Sequence, residues 1–481
     1  MTEKRPPSSA SHNGGNCTPS PGASTETIDP AEETKLLGKL DLFFVPIIMA
    51  VYLSCFLDRS NIGNVKVAGM PEDIHATSQQ ISTAVSIFYA TYVLVEAPWA
   101  IALKKITPRI LMTALCVVWS LTTIFSGFIT SIGGLYAARL VLGSCEGGLF
   151  PGLNLYLTMV YKREEQAKRV SYLFVCTALS GAFGGLLAYL ILKMDGVGGY
   201  AGWRWVYIIE GLFSMLVAVM VWFGLPNDPT QAYFLNERER ELMQIRERQR
   251  AQYMGEEKFS WEEVRITLRD PKLWFSGLIQ FCQDILLYGF STFLPSIIES
   301  MGYNSLQAQY LTIPVYVVGG GSFLALSFAS DRLTLRSPFL VFANFFGIVG
   351  YALMLSPVSN GVKFFGTFLC AIAAYTGPGM NITWLNVNVA PHHRRAAAIG
   401  FQQTMANCAG IVAGQIYRSS PYTLGNAFSL GAIGVAQVMI GVLAMYIRRQ
   451  TRLKERIAKG ELEDTRKVRT GDRELDFGYH L

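Results

Sequence analysis

The sequence predicts an all-α membrane protein of twelve transmembrane helices, arranged as two pseudo-symmetric six-helix bundles. Three observations predict it. Of the 481 residues, 51% are hydrophobic and only 16% charged, where a soluble chain carries about 25% charge. The apolar residues come in long blocks, each close to the roughly 20 residues that cross a bilayer as helix. Those blocks fall six and six about one long polar loop.

The elements follow in order. Residues 1–39 open on a Ser/Pro/Gly/Thr-rich stretch without an apolar core, which reads as a disordered tail and not a signal peptide. The first span then serves as its own signal anchor. Spans are expected at 40–59, 80–103, 108–129, 133–159, 170–192 and 204–224, an N-terminal bundle over 40–224. The loop 225–271 alternates in charge and should form an exposed helix on the membrane surface. Further spans at 272–298, 308–330, 337–356, 362–388, 397–417 and 426–447 make a C-terminal bundle over 272–447, followed by a tail over 448–481. Segments 133–159 and 362–388 are long and contain Gly and Pro, so tilt or kinking is expected.

Charge sets the orientation. Lys104, Lys105, Arg109, Lys162, Arg163, Lys168, Arg169, Arg332, Arg336, Arg394 and Arg395 gather on the even-numbered connections. Both termini and the central loop are therefore expected in the cytosol. The sequon at Asn16 is then on the wrong side for glycosylation, and the one at Asn381 is inside a helix. The net charge of +6 belongs to this pattern and does not indicate nucleic-acid binding. Seven of the eight cysteines lie in apolar segments and no two form a CxxC; they read as buried gap-filling thiols, with no metal site or cofactor. No Walker-type motif and no workable nucleophile–base pair occurs, so neither an ATP-driven pump nor a membrane enzyme is expected.

The polar residues inside the spans point to a function. Arg139 and Glu146 lie seven residues apart in LYAARLVLGSCEGGLFPG, about two helical turns, and so near one face. Ionisable groups at bilayer depth cost roughly 2.5–3.5 kcal/mol and are kept for pairing, a wet cavity or a charged cargo. Gly143, Gly147, Gly148 and Gly152 flank the pair and suit a moving helix. The first span ends in Asp58-Arg59, either an interfacial ion pair or a proton carrier beside a substrate-facing arginine. Polar stripes run along Tyr89, Tyr92, Glu96 and Trp99; along Gln280, Asp284 and Tyr288; along Asn381, Trp384 and Asn388; and along Gln403 and Asn407. Each alone suits interhelical hydrogen bonding, but together they suggest a wet central path. Trp384 and the tyrosines could stack on a planar cargo. Glu96, nearer the cytosolic end, suits an inner gate, and Glu210 reads as structural.

Two halves, cytosolic termini and a long middle loop resemble the major facilitator superfamily. Ser330–Arg336 (SDRLTLR) resembles that superfamily's D-R-x-x-x-R loop, which implies a conformational latch at Asp331 and Arg332; ALKKITPRI (102–110) keeps only the basic residues. FLDRSNIGNVK (56–66), RLVLGSCEGGLFPG (139–152), YKREEQAKR (161–169), GWRWVYIIEG (202–211) and the stretch from NITWLNVNVAP (381–391) to QQTMANCAG (402–410) resemble the anion:cation symporter family, especially its fungal allantoate-permease branch. PHHRR replaces that branch's usual Gly/Thr-Lys-Arg wording. The resemblance implies proton-coupled uptake of a small organic anion at a plasma membrane by a monomer embedded in lipid. Arg59, Arg139, Tyr92, Tyr288, Trp384 and Asn407 are then expected to bind the anion, with Asp58 and Glu146 carrying protons. Burial disfavours a charged carboxyl and a neighbouring arginine favours it, so anion and proton would bind together. A proton-antiport exporter is the alternative, though 176–189 (CTALSGAFGGLLAY) lacks the antiporters' proline. A nutrient sensor on the same fold is another, and such sensors carry longer tails.

Overall fold

The computed structural model describes residues 28–103, 105–254, 261–390, 392–464 and 471–481. Most of the tail expected over 1–39, with Cys17 and the first sequon, lies outside the described residues. Among the described residues, twelve helical segments cross the molecule: α1 Pro30–Val67, α2 Ser78–Ala102, α3 Pro108–Ser126, α4 in two pieces (Ile132–Glu146 and Leu149–Val160), α5 Arg163–Ile191 and α6 Gly202–Gly224. Then come α7 Pro271–Glu299, α8 Ser305–Leu333, α9 Ser337–Leu355, α10 Asn360–Val387, α11 His392–Ile416 and α12 Thr423–Ala458. No strand occurs among the described residues. The chain is thus an all-α, multi-pass membrane protein.

Nine of these helices are long and apolar enough to span a membrane on length and composition alone. The other three, α4, α10 and α11, fall short for a physical reason. α4 breaks at Gly147-Gly148, so neither piece is long enough. α10 and α11 bury polar groups alongside their apolar ones, among them Thr376, Asn381, Gln402 and Asn407. α1 starts earlier than its apolar block, because Asp29 caps the helix by accepting from the Ala31 N–H and Pro30 suits the first turn.

The packing repeats between halves. α3 lies on α6 as α9 lies on α12; α1 lies on α5 and α6 as α7 lies on α11 and α12; α2 lies on α4 as α8 lies on α10. Exchanging the halves maps one set onto the other. Across the halves α1 meets α7, α2 meets α11 and α5 meets α8. The same exchange maps the first pair onto itself and the other two onto each other.

These cross-half contacts are tight at the end away from both termini. A Cβ at Gly185 of α5 would run into Thr312 and the Gln309 carbonyl of α8, and one at Gly410 of α11 into the Tyr89 ring of α2. Glycine is what lets the helices approach this closely. Hydrogen bonds add to the seal: Ser86 Oγ donates to the Ile411 carbonyl (2.9 Å), Gln415 Nε2 to Ser86 Oγ (2.8 Å), Gln309 Nε2 to the Asn64 carbonyl (3.1 Å) and Lys66 Nζ to the Tyr422 hydroxyl (3.2 Å).

At the opposite end each half carries its own ionic clasp. The helix Glu237–Met254 of the central loop is pinned rather than free, since Arg246 is 3% exposed and bonds Glu33 and Glu165, each at 2.5 Å. Lys162 also reaches Glu33 (2.6 Å), and Arg169 reaches Asp41 (2.6 Å). In the other half, residues 471–481 fold back as a strap. Asp472 is buried against Lys272, with Arg394 at 3.6 Å, and its carbonyl accepts from Lys454 Nζ (2.7 Å). The Tyr479 ring lies under Lys454 and Lys272 at 4.1 and 4.7 Å. Removing the Asp472 carboxylate takes a counter-charge from buried Lys272, which keeps Asp270 at 3.6 Å, and from Arg394; breaking a buried pair costs up to about 3–5 kcal/mol. Asp472→Ala should therefore lower the thermal unfolding midpoint of the detergent-solubilised protein by several degrees, while Asp476→Ala, at an exposed position, leaves it unchanged.

Candidate functional site

The site is built on the last two turns before α1 ends and on the break in α4. Arg59 points from α1 toward the interface between the halves, and Glu146 is the last residue of the first piece of α4. Glu146 Oε2 accepts from Arg59 Nη2 (3.1 Å), Arg59 Nε (3.3 Å) and the Cys55 thiol (3.0 Å). Its other oxygen, Oε1, is buried and has no hydrogen-bond partner among the described residues. Nη1 of Arg59 makes no hydrogen bond among the described residues. One arm of the cation and one oxygen of the acid are thus both unspent.

Five rings surround the guanidinium: Phe56 at 4.7 Å, Tyr92 at 5.1 Å, Phe88 at 5.3 Å, Tyr89 at 5.7 Å and Tyr288 at 6.0 Å from the centroid. Their π-faces stabilise the cation where water is scarce. Tyr89 and Tyr288 come from opposite halves and pack with centroids 4.7 Å apart and planes tilted by 37°, and the Tyr288 hydroxyl donates to Asn407 (2.9 Å). Arg59, Glu146, Cys55, Tyr92 and Phe150 line a cavity from the N-terminal half; Gln280, Asp284, Tyr288, Gln403 and Asn407 close it from the other. Its volume is about 50 Å³, enough for a few waters. The halves are drawn together around it.

The structure brings together part of the set expected from sequence. Arg59, Glu146, Tyr92, Tyr288 and Asn407 meet at the cavity. Arg139 does not pair with Glu146: it is 2% exposed, faces Tyr207 on α6, and its Nη2 makes no hydrogen bond among the described residues. The partner of Glu146 is Arg59 instead, because α1 crosses beside the end of α4's first piece. Asp58 turns the other way from Arg59, as consecutive helical residues sit about 100° apart. It lies inside the N-terminal bundle, accepting from Trp119 Nε1 (2.5 Å), Ser214 Oγ (2.6 Å) and Asn61 Nδ2 (3.4 Å). Trp384 is also outside the cavity lining; its Nε1 donates to the His480 carbonyl of the strap (3.0 Å). Glu96 is half-buried opposite Asn407, its Oε2 without a hydrogen-bond partner among the described residues. Asp331 pairs with Arg336 (2.5 Å), and exposed Arg332 lies over Phe328 (4.4 Å).

Sequence reasoning passed over Cys55 as a gap-filler. Its spacing of four from Arg59 was the available indication, since i,i+4 residues share a helix face. Phe56 and Phe88, two of the five rings about Arg59, are not singled out by the sequence pattern.

A repeated six-plus-six packing around a central polar cavity is the architecture of one large transporter superfamily, and the sequence matches its family model, described as Major Facilitator Superfamily, over residues 48–415. The chain belongs to that superfamily. An uncharacterized transporter of Schizosaccharomyces pombe is 47% identical, with 95% of each chain covered. The high-affinity nicotinic acid transporter of Saccharomyces cerevisiae is 32% identical, covering 88% of this chain and 79% of that one. Among solved structures, a bacterial homolog of the human lysosomal transporter Spinster, in an inward-facing and occupied conformation, superposes with TM-score 0.64 at 16% identity, covering 87% of this chain and 98% of that one. A D-xylose–proton symporter superposes at 0.63 with 12% identity, covering 82% and 97%. These two likenesses establish the fold. The protein is a membrane transporter of this superfamily and not an enzyme.

Proposed function

We propose that this transporter takes up a small organic anion together with protons, by alternating access of the cavity between its halves. The observation that carries the reading is the Arg59–Glu146 pair, buried in the cavity with one arm of each group unspent. An arginine binds a carboxylate through two N–H groups at once. A cargo carboxylate on Arg59 competes with Glu146 for the same cation. Glu146, losing its counter-charge in a low-dielectric site, then takes a proton, and Oε1 is the atom free to hold it. The empty site (Arg59 cationic, Glu146 anionic) and the loaded site (Arg59, anion, neutral Glu146) both have no net charge. Either can be carried through the membrane at low cost, whereas anion or proton alone leaves a charge behind.

The remaining parts have supporting roles in this reading. Asp58, held by three donors and within electrostatic reach of Glu146 and Arg139, is a second carboxyl through which protons pass. Arg139 balances it inside the bundle. Tyr92, Tyr288 and Asn407 contact the cargo, while Glu96, Asp331 and Arg332 act on the side of the termini as gate and latch. With both termini in the cytosol of a plasma-membrane protein, the sealed side is the outer one. The yeast relative's named activity, nicotinic acid transport, agrees in charge with a carboxylate on Arg59.

The test is uptake of labelled nicotinate, benzoate, pantothenate and allantoate by cells expressing the full chain, at external pH 5 and 7.5. Faster uptake of at least one acid at pH 5, lost on adding a protonophore, is the expected result. Absence of uptake across the panel, with the protein demonstrated at the cell surface, overturns the reading.

A further inference from the structure

We propose that the cavity has two poles and selects an amphoteric cargo, an organic acid that also carries a basic or N–H-bearing nitrogen, with Asp284 as the residue that reads the nitrogen. The inference rests on the anion reading above and names its substrate class.

Asp284 stands on α7, in the half opposite to Arg59, and lines the same cavity. It is 3% exposed and lies within electrostatic reach of Arg59. Its Oδ2 accepts from Gln280 Nε2 (3.1 Å). Gln280 is itself fixed, since its Oε1 accepts from Asn381 Nδ2 of α10 (2.8 Å), and Asn381 also donates to the Ser276 carbonyl (3.0 Å). This chain of amides orients the carboxyl. Oδ1 makes no hydrogen bond among the described residues. The C-terminal half contributes no Lys, Arg or His to the cavity lining, and the guanidinium on the facing wall is already engaged by Glu146.

A buried carboxyl with no cation in hydrogen-bond contact among the described residues, held by a neutral amide and open on one oxygen, needs a hydrogen-bond partner from whatever fills the cavity. A cargo with its carboxylate on Arg59 and a nitrogen at its far end supplies that partner. A basic ring nitrogen accepts from the proton that the Asp284 carboxyl itself carries, so no further proton is drawn from solution, and an amine, amide or ureide N–H donates to the same carboxyl. The Tyr92 and Tyr288 rings around Arg59 favour a flat body between the poles. An acid of the same size without the nitrogen sets a C–H edge against Asp284 and leaves it unsatisfied. Sites that hydrogen-bond a substrate group reject analogues lacking it far more strongly than apolar pockets reject a missing methylene.

Nicotinate and benzoate differ only by that ring nitrogen. Each is scored as an inhibitor of uptake of the fastest labelled acid of the panel, in cells expressing the full chain. The expected result is that nicotinate inhibits at a concentration at least about tenfold lower than benzoate. Asp284→Leu, of similar volume, and Asp284→Ser, a smaller polar replacement, should each bring the two acids within about twofold, by weakening nicotinate and sparing benzoate. Equal inhibition in the wild-type protein overturns the inference while leaving anion uptake intact, as does an unchanged preference in whichever variant reaches the membrane. If both acids lose pH-driven accumulation in the variants but still exchange, Asp284 carries the proton and the assignment is wrong. Failure of every acid to be taken up by the wild type defeats the parent reading instead, so the two failures are distinguishable.

Discussion

Arg59→Ala is expected to abolish anion uptake, and to do so for two reasons that can be separated. The variant removes the cation on which the cargo carboxylate sits. It also leaves Glu146 as a buried acid with the Cys55 thiol as its remaining hydrogen-bond donor among the described residues, a loss of about 3–5 kcal/mol for a broken buried pair. A low yield of folded protein alone would therefore say little about binding. The double variant Arg59→Ala/Glu146→Gln removes both charges together and should recover most of the folded yield, measured by size-exclusion profile in detergent, without recovering uptake. Arg59→Lys keeps the charge but loses the planar fork and its fit among five rings; apparent affinity should fall by about tenfold or more. Normal uptake by the double variant would remove Arg59 from the binding site.

Glu146→Gln is expected to separate exchange from accumulation. The amide is close to a neutral carboxylic acid in shape and cannot release a proton. Cells or vesicles carrying it should still exchange labelled for unlabelled anion across the membrane, while losing concentrative uptake at pH 5. For wild type, one pH unit supplies about 1.4 kcal/mol per coupled proton, a tenfold accumulation; for Glu146→Gln the ratio should approach one. Cys55→Ala provides a milder comparison. It removes one of three donors to Oε2 and should weaken transport without uncoupling it.

How far the sequence led can be followed residue by residue. Helix positions were legible because apolar length is a one-dimensional property, and the three helices that fall short of it, α4, α10 and α11, do so through the glycines and amides that make them useful. Which side chain faces the cavity was not legible. Asp58 and Arg59 are neighbours in sequence, yet one enters the bundle beside Trp119 and Ser214 and the other enters the cavity. Periodicity reports that two residues differ in direction, and only the crossing of α1 with α4 decides which direction is the cavity. The same crossing gave Glu146 to Arg59 and not to Arg139, although the spacing of seven was sound as helix geometry. Trp384 was claimed by a segment distant in sequence: the polar stretch 471–481 gives no periodic signal, and it is held against α10 through Lys272, Arg394 and Lys454, which come from three different helices.

The central claim is that anion and proton are bound together because they compete for, and free, the same buried pair. It is tested most directly by adding nicotinate to the purified wild-type protein in weakly buffered detergent solution and following pH with a dye, with binding monitored in parallel by tryptophan fluorescence. The account predicts that the protein takes up to about one proton from solution for each anion bound, and that Glu146→Gln binds the anion without taking any. Anion binding to the wild type with no proton taken up, or equal uptake by Glu146→Gln, would contradict it.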